Sequence, residues 1–168
     1  MDLAIFILRV VTGLLLAGHG AQKLFGWFRG HGLGGTTGWL GSIGFRPARL
    51  WAWLVGLGEF GGGVLLTLGL FNPLGSLGIA SSMLVAIAKV HWPKVWAFEG
   101  GFELPLTYLA VVTAVGLAGP GAISLDAVFG TSLPLGLALL GVALVLAGWI
   151  VALVTSRMPP AAQAKGQP

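Results

Sequence analysis

The sequence contains no cysteine and very little charge. The missing thiols exclude disulfide exchange, thiolate nucleophiles and cysteine-ligated metal or iron–sulfur centres. A membrane thiol oxidase, a natural guess for a small helical bundle, is excluded with them. Charged residues are 8% of the 168-residue chain, against about 25% in soluble domains, too few to cover a water-facing surface. Flavin-, dinucleotide- and iron–sulfur-binding motifs are also missing, so any electrons handled here would come from a partner protein.

What the chain has in quantity is apolar sequence: 56% of residues are hydrophobic and the mean hydropathy is +0.93. A hydrocarbon core of about 30 Å needs roughly 20 apolar residues per helix. The chain therefore reads as one all-α domain, a polytopic membrane bundle of roughly four or five helices. Five apolar segments stand out: 3–25, 50–71, 74–90, 103–118 and 133–155. Asn72-Pro73 turns the chain between the second and third, and Gly119-Pro120-Gly121 closes the fourth. Pro134 suits the first turn of the fifth. Thr36–Ile43 is expected to form a short interfacial helix capped by a threonine. Residues 1–130 make up the core bundle, 131–156 an additional transmembrane helix, and 157–168 a disordered tail. Met1-Asp2 lacks a basic start, so the N-terminus reads as a retained first helix and not as a cleaved signal peptide.

The net charge of +4 does not point to nucleic acid, because the basic residues are dispersed at the ends of apolar runs. With five spans, Lys23, Arg29, Arg46, Arg49, Lys89, Lys94, Arg157 and Lys165 share one side, which the positive-inside bias makes cytoplasmic. The N-terminus is then outside and the C-terminus cytoplasmic. Lys23, Lys89 and Lys94 read as anchors that extend to the headgroups.

Ionisable groups in hydrocarbon are costly and usually face the bundle interior or mark a pathway. His19, Gln22 and Lys23 share one face of the first helix at i, i+3, i+4. His91 ends the third helix and Glu103 begins the fourth at the same end. Glu59 lies about 13 Å below that end. His19, Gln22, Lys23, Glu59, His91 and Glu103 therefore form a candidate polar pocket, with Trp92 and Trp96 as an aromatic lid. Arg9 comes within about 7–8 Å of Glu59 along the axis, which makes Arg9–Glu59 the expected buried ion pair. The bland alternative is that these groups satisfy one another and fix helix register. Gly58 and Gly62 form a small-xxx-small pattern for close helix approach. No metal cluster is evident in the sequence. His19 and His91 lie at one end of the bundle, as axial haem ligands would, but two histidines alone are a weak signal and unligated polar roles are commoner.

The ordered set of motifs resembles the DoxX family of small bacterial membrane proteins. It comprises Gly18-His19-Gly20-Ala21-Gln22-Lys23-Leu24-Phe25-Gly26, Gly44-Phe45-Arg46-Pro47, Gly58-Glu59, Val90-His91, Gly100-Gly101-Phe102-Glu103-Leu104-Pro105 and Gly119-Pro120-Gly121 leading to Ser124-Leu125-Asp126. The resemblance implies a four-helix core over about residues 5–130 in the bacterial inner (plasma) membrane, with the fifth segment an addition. It also implies a membrane subunit of an oxidoreductase complex, quinone-linked in some relatives, with a soluble or membrane redox partner. No catalytic residue carries over from it. A small transporter or ligand-binding protein, and a structural membrane subunit, are the competing readings.

Overall fold

The computed structural model describes residues 1–156, and among them there are helices and no strands. The expected disordered tail, 157–168, lies outside the described residues. Helix α1 runs Asp2–Phe25, α2 Gly32–Ser42, α3 Ala48–Leu68 and α4 Leu74–Val85, the last continuing as a π-helix over Ala86–His91. After a 3-10 turn at Ala97–Glu99 come α5 (Glu103–Ala118), the short α6 (Leu125–Phe129) and α7 (Leu135–Thr155). Four helical stretches are long and apolar enough to cross a membrane: Asp2–Phe25, Ala48–Leu68, Leu74–His91 and Leu135–Thr155. Helix α5 is apolar but shorter, at 16 residues.

The ends of these helices follow from local chemistry. Asp2 sits in the first turn of α1, where a negative charge favours the helix dipole, and its Oδ1 accepts from the Ala122 amide at 2.9 Å. Gly69, at φ 63°, ends α3 in the left-handed region, and the Leu70 amide returns to the Leu65 carbonyl. The interfacial α2 starts earlier than expected and has no threonine cap. The Thr36 hydroxyl instead donates to the Lys23 and Gly32 carbonyls, tying α2 to the end of α1.

Glycines set the helix spacing. A methyl at Gly20 would lie 2.2 Å from the Phe60 nitrogen, and one at Gly63 2.4 Å from the Ala17 nitrogen, so α1 and α3 pack backbone to backbone. Gly58 and Gly62 face the Gly78 and Gly75 carbonyls of α4 in the same way. Leu16, Leu66, Ile79, Met83, Val112 and Val115 form a buried core joining α1, α3, α4 and α5. Helix α7 leans on α4 from outside: Gly141 meets Leu77, while Leu139, Leu146 and Val154 are exposed and suit contact with lipid.

The α1–α3 contacts also define a stagger. Gly20 lies level with Phe60 and Gly13 with Thr67, so α3 begins about 10 Å beyond the end of α1 and is covered there by α2. On the same register Glu59 is level with Ala21, whereas Arg9 is level with the turn after Gly69.

Candidate functional site

One half of the bundle holds a partly open cavity of about 580 Å³. Its walls come from the C-terminal half of α1, from α2, from the N-terminal half of α3, from α4 with its π-helix, from the start of α5 and from α7. They are mostly apolar and include Trp39, Trp51 and Trp149. The polar groups among them are His19, Lys23, Glu59, Ser81, Ser82, His91 and Tyr108.

Lys23 Nζ donates to Glu59 Oε2, and the two form the ion pair of the described residues. The Glu59 side chain is 4% exposed and that of Lys23 28%. The pair is reached from α1 and α3 and borders the cavity. Lys23 therefore turns inward and does not reach for the headgroups.

The two cavity histidines have defined proton arrangements. His91 Nδ1 is 2.7 Å from the Gly100 carbonyl. A carbonyl only accepts, so Nδ1 carries hydrogen and the neutral ring keeps Nε2 as its acceptor. Gln22 Nε2 donates to the Phe28 carbonyl, which turns Gln22 Oε1 towards His19 Nδ1 at 3.2 Å. His19 is thus held in the same tautomer, with Nε2 able to accept a proton.

The π-helix determines what faces the cavity. Its hydrogen bonds run from i to i+5, which moves the repeat of its faces away from that of an α-helix. Val85, Ala86, Val90 and His91 line the cavity. Leu84 and Lys89 lie on the side facing α7. The Leu84 carbonyl accepts from Trp149 Nε1 at 3.3 Å, and Lys89 Nζ donates to the Leu153 and Ser156 carbonyls at 3.1 Å each. Lys89 thus caps the C-terminus of α7 and is no headgroup anchor.

Several expected residues sit elsewhere. Gln22 acts behind His19 and is outside the cavity lining. Glu103 is exposed and its Oε2 accepts from the Ala97 amide at 2.9 Å, holding the loop before α5. Trp92 stacks on Phe102 at 5.8 Å, and both Trp92 and Trp96 are more than half exposed, so neither covers the cavity. The aromatic cover comes from Trp39, Trp51 and Trp149.

The expected Arg9–Glu59 pair does not form. The stagger of α3 separates the two levels by about 18 Å, beyond the combined reach of the side chains. Arg9, 1% exposed, donates to the Leu66 and Thr67 carbonyls at 3.2 Å and to the Ile123 carbonyl. The first two lie in the last turn of α3, where carbonyls run out of helical amide donors; the Leu66 carbonyl also accepts from the Gly69 amide at 3.1 Å. Nearby Asp126, a residue to which the sequence reading gave no role, is buried. It accepts from the Phe71 amide at 2.8 Å and the Asn72 amide at 2.9 Å, and from the Thr131 hydroxyl. Burial pushes its carboxyl up, but the Thr131 hydroxyl, the Asn72 and Phe71 amides and the Arg9 charge together outweigh that and hold it below its ordinary value. Arg9 and Asp126 thus lock the end of the bundle away from the cavity.

Among the described residues no three His, Asp or Glu side chains gather as metal ligands would.

Long apolar helices around a cavity with a buried ion pair define a polytopic helical membrane protein. Residues 4–92 match the DoxX family, and the chain belongs to that family. The match ends within the Trp92 loop, so the motifs at 100–105 and 119–126 lie outside it, as do α5, α6 and α7. No curated protein and no solved structure matches the chain.

Proposed function

We propose that the protein is the membrane subunit of a quinone-linked oxidoreductase complex and that the cavity holds the quinone. The observation that carries this reading is the cavity itself: about 580 Å³, apolar in most of its wall, with Lys23, Glu59, His19 and His91 among its few polar groups. Ligand sites of this kind bury an apolar body and orient it with a few convergent polar groups. A quinone would supply a two-electron, two-proton couple. Lys23 Nζ would donate a hydrogen bond to a ring carbonyl, with Glu59 keeping that ammonium in place. His91 Nε2 and His19 Nε2 would take up the protons released on quinol oxidation and return them on quinone reduction, exchanging them with the basic end of the bundle. Electrons go to or come from a redox partner protein.

The test is extraction of the protein purified in mild detergent. Stoichiometric quinone in the extract, and quinone turnover in the assembled complex that is lost in Glu59→Gln, is the expected result. Purified protein that neither retains nor binds quinone would overturn the reading. A transporter draws on the same ion pair within a cavity; solute flux in liposomes without any redox partner would favour it.

The basic end, with Lys23, Arg29, Arg46, Arg49, Lys89 and Lys94, is assigned in this reading to the cytoplasm. A reporter fused after α7 and active only in the periplasm would contradict it.

A further inference from the structure

Helix α7 closes the cavity on the side facing lipid, and it does so with a gap. Its inward face repeats small residues: Gly141 touches Leu77 of α4, and Ala152, fully buried, packs with Leu40, Phe45 and Ala52. Between those contacts the cavity wall consists of Leu144, Val145, Gly148 and Trp149. At 100° per residue these four span an arc of about 140°, and position 148 falls inside it. A Cβ at Gly148 would meet nothing within 4 Å. Gly136, also on α7, has equally open space but does not line the cavity.

We infer that Gly148 is a specificity-determining position: its missing side chain leaves a slot along α7 for the isoprenoid chain of the ligand whose ring lies at Lys23 and Glu59. The inference rests on the quinone reading and adds the ligand's tail to it. The charged and polar groups come from α1, α3, α4 with its π-helix and α5, whereas α7 contributes Leu144, Val145, Gly148 and Trp149, an apolar wall with a glycine in it. A ring without a chain would leave that wall unfilled. A chain laid along Leu144, Val145 and Gly148 would cover it and lose its exposure to water. The slot is held open from both ends, by Gly141 against Leu77 and by the Trp149–Leu84 and Lys89–Leu153 hydrogen bonds.

The experiment uses the full chain in detergent and two probes, a naphthoquinone without a tail and one with a four-isoprene tail. Both quench tryptophan, and Trp39, Trp51 and Trp149 line the cavity, so binding is read as loss of intrinsic fluorescence. In the wild type the tailed probe should bind about tenfold more tightly than the tailless one, as the net burial of about two chain carbons implies. Gly148→Leu should remove that preference and leave tailless binding within about twofold, while Gly136→Leu, which adds the same side chain outside the cavity, changes neither. Val145→Trp is the second variant should Gly148→Leu not fold, and it should act the same way. Unchanged tail preference in Gly148→Leu and Val145→Trp would overturn the slot and leave the quinone reading standing. Equal weakening of both probes would also overturn it, because Gly148 would then govern the whole cavity. If neither probe binds the wild type, the quinone reading falls and takes the slot with it.

Discussion

Replacing each partner of the Lys23–Glu59 pair should give unequal losses, and the inequality follows from their burial. Glu59 is 4% exposed and has Lys23 as its ion-pair partner. Lys23→Met keeps the length of the side chain but leaves the carboxylate buried without a counter-charge, at a cost of about 3–5 kcal/mol. Glu59→Gln has a milder consequence. Lys23 is already 28% exposed and lies two residues from the end of α1, so its flexible stem carries the ammonium to the surface. The remaining loss is about 1–2 kcal/mol, the scale of one polar contact. The double variant removes both charges and should return to within about 1 kcal/mol of wild type, since a neutral pair in a protein interior is often as stable as the ionic one. The coupling between the two sites is then about 3 kcal/mol or more. Reversible unfolding in mixed micelles at neutral pH, followed by circular dichroism, measures all four corners of the cycle. Additive losses, or a Glu59→Gln loss as large as that of Lys23→Met, would refute the reasoning.

Gly20→Ala should cost about 1–3 kcal/mol through overpacking against the Phe60 backbone. Gly18→Ala, where a methyl meets nothing within 4 Å, should be neutral or stabilise by up to about 1 kcal/mol; thermal unfolding of the two compares them directly. Asp126→Asn should destabilise the protein at neutral pH by about 1–3 kcal/mol, because charge-assisted bonds to two amides and a hydroxyl are weakened. The Asp126 carboxyl is held below its ordinary value, so its contribution is complete above the unfolded-state value of about 4 and is lost as pH falls through the folded one. Acid unfolding curves should therefore be steeper below pH ~4 for wild type than for Asp126→Asn, and identical slopes would contradict this. Lys89→Met should free the last turn of α7, seen as faster amide exchange at residues 150–156 with little change in α1 and α3.

The apolar spans and the polar character of one end were legible because hydropathy runs and i, i+3, i+4 spacing are local properties. The Lys23–Glu59 pair was not, since it depends on how far one helix slides past another. Span ends read from hydropathy assumed that the helices start level, and the offset of α3 changed which charge meets Glu59. Lys23 read as a headgroup anchor from its place near a span end, a position that does not say which way a flexible stem turns. Trp92 and Trp96 lie in a loop whose aromatic residues suit the headgroup region, a place that does not say whether a ring turns over the cavity. Trp149 carried a different signal, its place beside the small-residue face formed by Gly141, Val145, Gly148 and Ala152. Asp126 was in view only as part of a motif, and its role is set by amides more than fifty residues away. The π-helix has no signature in hydropathy, yet it decides that Lys89 and His91 point to different tasks.

Helix α5 has a consequence for the surrounding lipid. Its 16 residues extend about 24 Å, against a hydrocarbon thickness of about 30 Å, while the 24 residues of α1 extend about 36 Å. A helix of that length set across a bilayer would require the acyl chains along its outer face to shorten. Leu104, Pro105 and Tyr108 of that helix border the cavity. Thinning there would lie beside the cavity and would bring water and mobile protons nearer to His91 than a flat membrane does. Bilayer thickness becomes a control on the site: short-chain phosphatidylcholines should ease proton exchange at the cavity, and long-chain ones should hinder it.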